Sequence, residues 1–166
     1  MTPSRLLNLA IVPALAELEH FGIPDSYDAR RLLLTIALQE SNLSHRRQVI
    51  SGGGENGPAA SFWQGEITGG LCKGVLTHPA TAVRMREICV AFNVFATPQG
   101  LWEAIRYNDI VAAVAARLLV YTLPSKLPTS AQAGWTQYAN AWRPGKPHPE
   151  KWASNWDLAT LTIGEK

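Results

Sequence analysis

Several things are scarce in this sequence, and each absence excludes something. Cysteine appears twice in 166 residues, as Cys72 and Cys89, 17 positions apart. That spacing fits neither a paired-cysteine metal site nor a redox motif, so both thiols are expected reduced and buried, with a disulfide left open in an oxidising compartment. Charge is sparse and balanced: 17% of residues are charged, and Lys+Arg 15 against Asp+Glu 13 gives a net +2. Such a chain projects no broad basic field, which argues against a nucleic-acid partner. No apolar run reaches the roughly 18 to 20 residues that span a bilayer, and the longest, 110–121, is interrupted by Arg117. No membrane insertion is therefore expected. Internal repeats are lacking too. The first residues carry Arg5 before an apolar stretch, but Pro13 interrupts it. Glu17 and Glu19 follow without a small-residue cleavage site, so the segment reads as an amphipathic helix and not an export signal. The lone His20 and His148 have no neighbours in sequence to make a metal site, and no cofactor motif is found.

What is present is enough apolar material for one core. Hydrophobic residues make up 46% of the chain, and its length suits a single domain over 1–166. Apolar spacing predicts helices over 6–20, 27–41, 79–91, 99–106, 110–122, 130–142 and 152–161. Gly22 and Pro24 stop the first, Asp25 or Ser26 caps the second, and Asn108 or Asp109 caps the helix at 110. The fold class is mainly α. Between residues 42 and 73 the helical pattern fails, and 8 of the 13 glycines fall between Gly52 and Gly74. This stretch is a loop or short hairpin. Its glycines either make a flexible surface segment or let backbone approach a ligand closely.

One carboxylate stands out. Leu33, Ile36, Ala37 and Glu40 follow i, i+3, i+4, i+7, so Glu40 continues an apolar stripe at the end of its helix. Desolvation there, and the negative end of the helix dipole, both raise a carboxyl pKa. A glutamate of this kind can stay protonated near neutral pH and act as a general acid. A helix-end glutamate turned to solvent is the plainer alternative. Downstream, Trp63 offers a flat apolar face on which a sugar ring could stack, or a core side chain, and Gln64 offers a donor and an acceptor.

The stretch Ala37-Leu38-Gln39-Glu40-Ser41-Asn42-Leu43 resembles the Glu-Ser signature of the soluble lytic transglycosylase and goose-type lysozyme group, in which the glutamate ends a helix and is the acid/base. Ser61-Phe62-Trp63-Gln64 is similar to the second motif of that group. Asn108-Asp109 heading an Ala/Leu-rich helix resembles the third. Tyr138-Ala139-Asn140 resembles the fourth, with one extra residue between Tyr and Asn. The likeness runs from about Ala29 to Gly145, and the whole chain looks like small peptidoglycan-degrading proteins of tailed bacteriophages. It implies a lysozyme-like helical domain with the Gly-rich loop forming one cleft wall. It implies cleavage of the β-1,4 bond between N-acetylmuramic acid and N-acetylglucosamine. Catalysis would fall to Glu40, with Glu66 as the leading second carboxylate and Glu55 and Asp109 behind it. Substrate would be held by Ser41, Trp63, Gln64 and Tyr138. The partners implied are peptidoglycan glycan strands and other virion proteins. The chain would be made in a bacterial host cytoplasm and act on the wall, in a particle or at lysis. A virion structural or adaptor protein that kept the fold without catalysis is the alternative, and a glycan-binding module built on the tryptophans is a third.

His45, Arg46 and Arg47 follow the glutamate and read either as a binding site for peptidoglycan carboxylates or as a solvated basic turn. His78 before Pro79 reads as structural. Arg117, inside an apolar helix, needs a partner or a route to solvent.

Overall fold

The computed structural model describes residues 1–48 and 57–164. Glu55, a candidate second carboxylate, and Gly52, Gly53 and Gly54, read above as part of a cleft wall, lie outside the described residues. Eight helical elements carry the fold, and no strand occurs among the described residues.

Helix α1 (3–19) starts where the Thr2 side chain accepts from the Arg5 amide, with Pro3 at its first position. Its middle, Leu7–Ile11, widens into a single π turn just before Pro13. Proline has no amide to donate, and its ring crowds the preceding turn, so a widened turn fits it without breaking the helix. Helix α2 (Tyr27–Ser41) begins at Ser26, whose hydroxyl accepts from the Ala29 amide, and ends on Asn42 in the left-handed region (φ 48°). After the loop, 70–77 forms α3, a π turn running into one α turn. Then come α4 (Ala82–Ala91), α5 (Pro98–Ile105), α6 (Asp109–Tyr121), α7 (Ala131–Trp142) and α8 (Pro149–Ile163). Asn108, not Asp109, caps α6: its side chain accepts from the amides of Ile110 and Val111. The last helix starts three residues before the apolar pattern because Pro149 is pre-set for a first helical position.

Helix α6 is the axle. Every residue from Val111 to Val120 is buried, as expected of a helix apolar on all faces. The second half of α1 packs on α6, and α2 lies along α8. Leu33, Ile36, Val114 and Leu118 are fully enclosed, and each such side chain contributes roughly 1.5–3 kcal/mol of burial. Cys72 and Cys89 are both free and buried, as the sequence suggested.

The hairpin anticipated in the Gly-rich stretch reduces to isolated antiparallel bridges, Arg47 with Ala60 and Ala60 with Gly65. Three of its described glycines, Gly57, Gly65 and Gly70, serve close packing. A Cβ on Gly57 would lie 2.6 Å from the Gln48 Cβ, and one on Gly70 would lie 2.8 Å from a Leu119 methyl. The loop is thereby drawn down onto α6, where it faces the end of α2. His78 ends α3 with extended backbone, and its Nδ1 accepts from the Ala80 amide (3.2 Å), a structural role.

Candidate active site

The cleft lies between the end of α2, the loop at 64–71 and the end of α7. It encloses about 440 Å³ and is lined by Glu40, Gln64, Glu66, Tyr138, Trp142 and Arg143, among others.

Glu40 sits at its floor. The stripe below it, Leu33, Ile36 and Ala37, is fully buried, so the helix lifts the carboxyl from the core toward the opening. The Tyr138 hydroxyl donates to Glu40 Oε1 across 2.6 Å. Two opposed effects act on the carboxyl. Burial penalises the anion and is the larger, while the tyrosine hydrogen bond favours it. The result is a pKa raised from the ordinary 4.5 to about 7. Near neutral pH Glu40 can therefore still hold a proton, where an ordinary carboxyl has lost it. Tyr138 is itself 2% exposed, and burial together with the neighbouring Glu40 pushes its own pKa far up, so it stays a donor.

The tyrosine is held by a wall of aromatics. Trp152 stacks on it with centroids 5.0 Å apart, Trp135 lies at 5.4 Å, and Trp142 at 6.1 Å. Trp152 is fixed in turn by its indole N–H, which donates to the Ala131 carbonyl (2.7 Å). Gln39 ties the same region together: it donates to the His148 carbonyl (2.9 Å) and accepts from Asn155 (2.9 Å). The extra residue between Tyr138 and Asn140 does not take the tyrosine away from Glu40.

Gln64 stands on the opposite wall. Its backbone is in the left-handed region (φ 51°), at the end of a tight turn closed by Ala60 and Gly65, which exchange two hydrogen bonds. Its amide nitrogen donates to the Ser61 carbonyl (2.8 Å), which fixes the side chain at the cleft. Glu66 follows on the rim, exposed, and is the second carboxylate lining the cleft among the described residues.

Two of the expected binding residues are corrected. Trp63 is fully buried, and its indole N–H donates to the Leu33 carbonyl of α2 (3.0 Å). It packs the loop onto the helix and has no face left for a sugar. The tryptophan that lines the cleft is Trp142, whose indole N–H donates to the Trp63 carbonyl (3.0 Å). Ser41 does not line the cleft: its hydroxyl donates to the Ala37 carbonyl (2.9 Å) and accepts from the Leu43 amide (3.2 Å), finishing α2.

Asp109 is neither helix cap nor cleft carboxylate. It pairs with Arg46 (2.7 Å), and that guanidinium also lies over the Phe62 ring at 4.7 Å. Arg47 donates to the Gly57 carbonyl and lies over Trp102. The basic turn after α2 thus braces the loop, and the cations lining the cleft are Arg143 and Lys146. Neither stood out in the sequence as a binding residue. Their signal was the Trp142-Arg143-Pro144-Gly145-Lys146-Pro147 segment, where a left-handed Arg143 (φ 50°) ends α7 and turns the chain across the opening. No three His, Cys, Asp or Glu side chains gather in a cluster among the described residues.

No protein-family model, curated protein or solved structure matches this chain.

Proposed function

We propose that this chain is a peptidoglycan-cleaving glycosidase of the lytic transglycosylase or lysozyme type. The observation that carries the reading is Glu40: a carboxyl at the floor of a cleft, held by Tyr138, with a pKa of about 7. Keeping such a group desolvated costs stability, and a proton donor matched to neutral pH is the use that fits it.

The glycan strand lies along the cleft, with a sugar face on Trp142 and its hydroxyl or acetamido groups on Gln64. Glu40 donates its proton to the oxygen of the β-1,4 bond between N-acetylmuramic acid and N-acetylglucosamine. The bond breaks with oxocarbenium character at the muramic carbon, and Glu40 is left as the carboxylate. It then serves as base. If the muramic 6-hydroxyl attacks, the product is a 1,6-anhydro sugar and no second carboxylate is needed. If water attacks, Glu66, which lines the same cleft, is the carboxylate we assign to activate it. Arg143 and Lys146 suit the lactyl and peptide carboxylates of the wall polymer.

On this reading the chain is a lysozyme-like domain encoded by a bacteriophage. It is made in the host cytoplasm and used on the wall during entry or lysis, in company with other virion proteins. Among the described residues no helix is long and apolar enough to cross a membrane. The test is digestion of purified peptidoglycan followed by mass spectrometry of the muropeptides. Anhydro or reducing muramic ends are expected from the native chain, and neither from Glu40→Gln. Equal release by the folded variant removes Glu40 from the mechanism. No release by the native chain favours the adaptor reading.

A further inference from the structure

On the far side of α6 a second feature lacks an explanation within the fold. Arg117 is 5% exposed, and its Nε is enclosed without a hydrogen-bond partner, as is that of Arg31; no ion pair to Arg117 occurs among the described residues. The contrast with the other buried arginine is direct. Arg31, 8% exposed, pairs with Asp28 at 2.6 Å and lies over the Trp156 ring at 4.3 Å. Arg117 has only a shared aromatic: its guanidinium lies over the Tyr121 ring at 5.7 Å from the centroid, and that of Arg84 lies over the same ring at 5.5 Å. Arg84 is already spent on the carbonyls of Phe21 and Ala80. A buried guanidinium without a counter-ion is a heavy burden on a fold unless something supplies the missing charge.

Arg117 lines a cavity of about 540 Å³ beneath the strap 122–127, with Ala80, Tyr121, Ser125 and Lys126 around it. No carboxylate lines it, and its two charged residues are both cations. The strap is held in place: Gln137 of α7 donates to Ser125 Oγ (2.8 Å) and to the Lys126 carbonyl (3.2 Å). The Ser125 hydroxyl accepts in that bond, so its own proton remains available to a ligand. A guanidinium fork, an ammonium and a hydroxyl on one cavity are three kinds of donor, a set suited to several oxygens on one centre.

We infer that this cavity is a binding site for a phosphate-type oxyanion, inorganic phosphate or a small phosphate monoester, with Arg117 as its buried anchor and Lys126 and Ser125 at its mouth. The site is separate from the cleft and stands or falls independently of the glycosidase reading.

Thermal unfolding of the full chain tests it, with phosphate exchanged for chloride at constant ionic strength. The native chain is expected to gain a saturable rise in Tm with inorganic phosphate or glycerol phosphate, and the tighter of the two identifies the free ion or the ester as the source. Arg117→Met, which keeps the length and removes the charge, is expected to unfold at a higher temperature without phosphate and to lose the saturable response. Lys126→Ala, at an exposed position, is expected to raise the half-saturating concentration about tenfold, the loss of one charge-assisted contact. An absent or unsaturating response in the native chain overturns the inference, as does an equal response in Arg117→Met. Should that variant not fold, an unchanged half-saturation in Lys126→Ala overturns it equally.

Discussion

Replacing Glu40 with glutamine should make the protein more stable, and only at high pH. The folded carboxyl has its pKa raised from 4.5 to about 7, mainly by burial. A group whose folded pKa lies above its unfolded one supports the fold fully at low pH and loses that support as pH rises through the folded value. The stability is present below about pH 4.5 and gone above about pH 8, and the shift is worth about 3 kcal/mol. Glutamine is neutral throughout, and its carbonyl can still accept from the Tyr138 hydroxyl. The two proteins should therefore be nearly equally stable at pH 4.5, with Glu40→Gln ahead by about 3 kcal/mol at pH 8.5. For a chain of this size that is a Tm difference of about 6–12 °C. Urea unfolding monitored by tryptophan fluorescence, repeated at half-unit steps from pH 4.5 to 8.5, gives the two curves. Parallel curves would refute the reasoning, because they would mean that Glu40 titrates alike in the folded and unfolded chains.

Removing the tyrosine hydroxyl should raise the same pKa further. The Tyr138 bond favours the carboxylate, so Tyr138→Phe raises the Glu40 pKa further, at a cost of about 1 kcal/mol in stability, and the carboxyl resonance of labelled Glu40 should titrate at higher pH. The two tryptophans should separate cleanly: Trp63→Ala destabilises by about 3–5 kcal/mol in denaturant melts, whereas Trp142→Ala mainly weakens retention of the chain on insoluble peptidoglycan, and the reverse pattern would restore Trp63 as the platform.

The helices were legible because their start and stop signals are local. Ser26 as a cap, Asn108 as a cap and the apolar spacing of 27–41 place α2 and α6 without any knowledge of their neighbours. Glu40 was legible for the same reason, since a charged residue that prolongs an apolar stripe announces its own desolvation. Tyr138 was reached only through resemblance, because nothing local links it to a carboxyl 98 residues away. Trp63 is open to two readings in the sequence and is expected there as a binding residue, but it belongs to the core. Its ring, like that of Trp142, is apolar enough for the core or for a sugar, and what decides between them is a chain of tertiary bonds from the Trp142 indole to the Trp63 carbonyl and from the Trp63 indole to Leu33. Asp109 looked like a cap or a catalyst; its partner, Arg46, is 63 residues away and leaves no trace in the spacing.

The distance along the chain between Glu40 and its tyrosine also sets a timetable. Tyr138 donates to residue 40 across 98 positions, and the stack that steadies it comes from Trp152. While the chain is being made, α2 emerges early with Glu40 in water and with ordinary acidity. The burial that raises its pKa is complete only when α7 and α8 have been synthesised and have folded back onto α2. A fragment stopping short of Tyr138 would lack both the lining that α7 gives the carboxyl and the hydroxyl that steadies it.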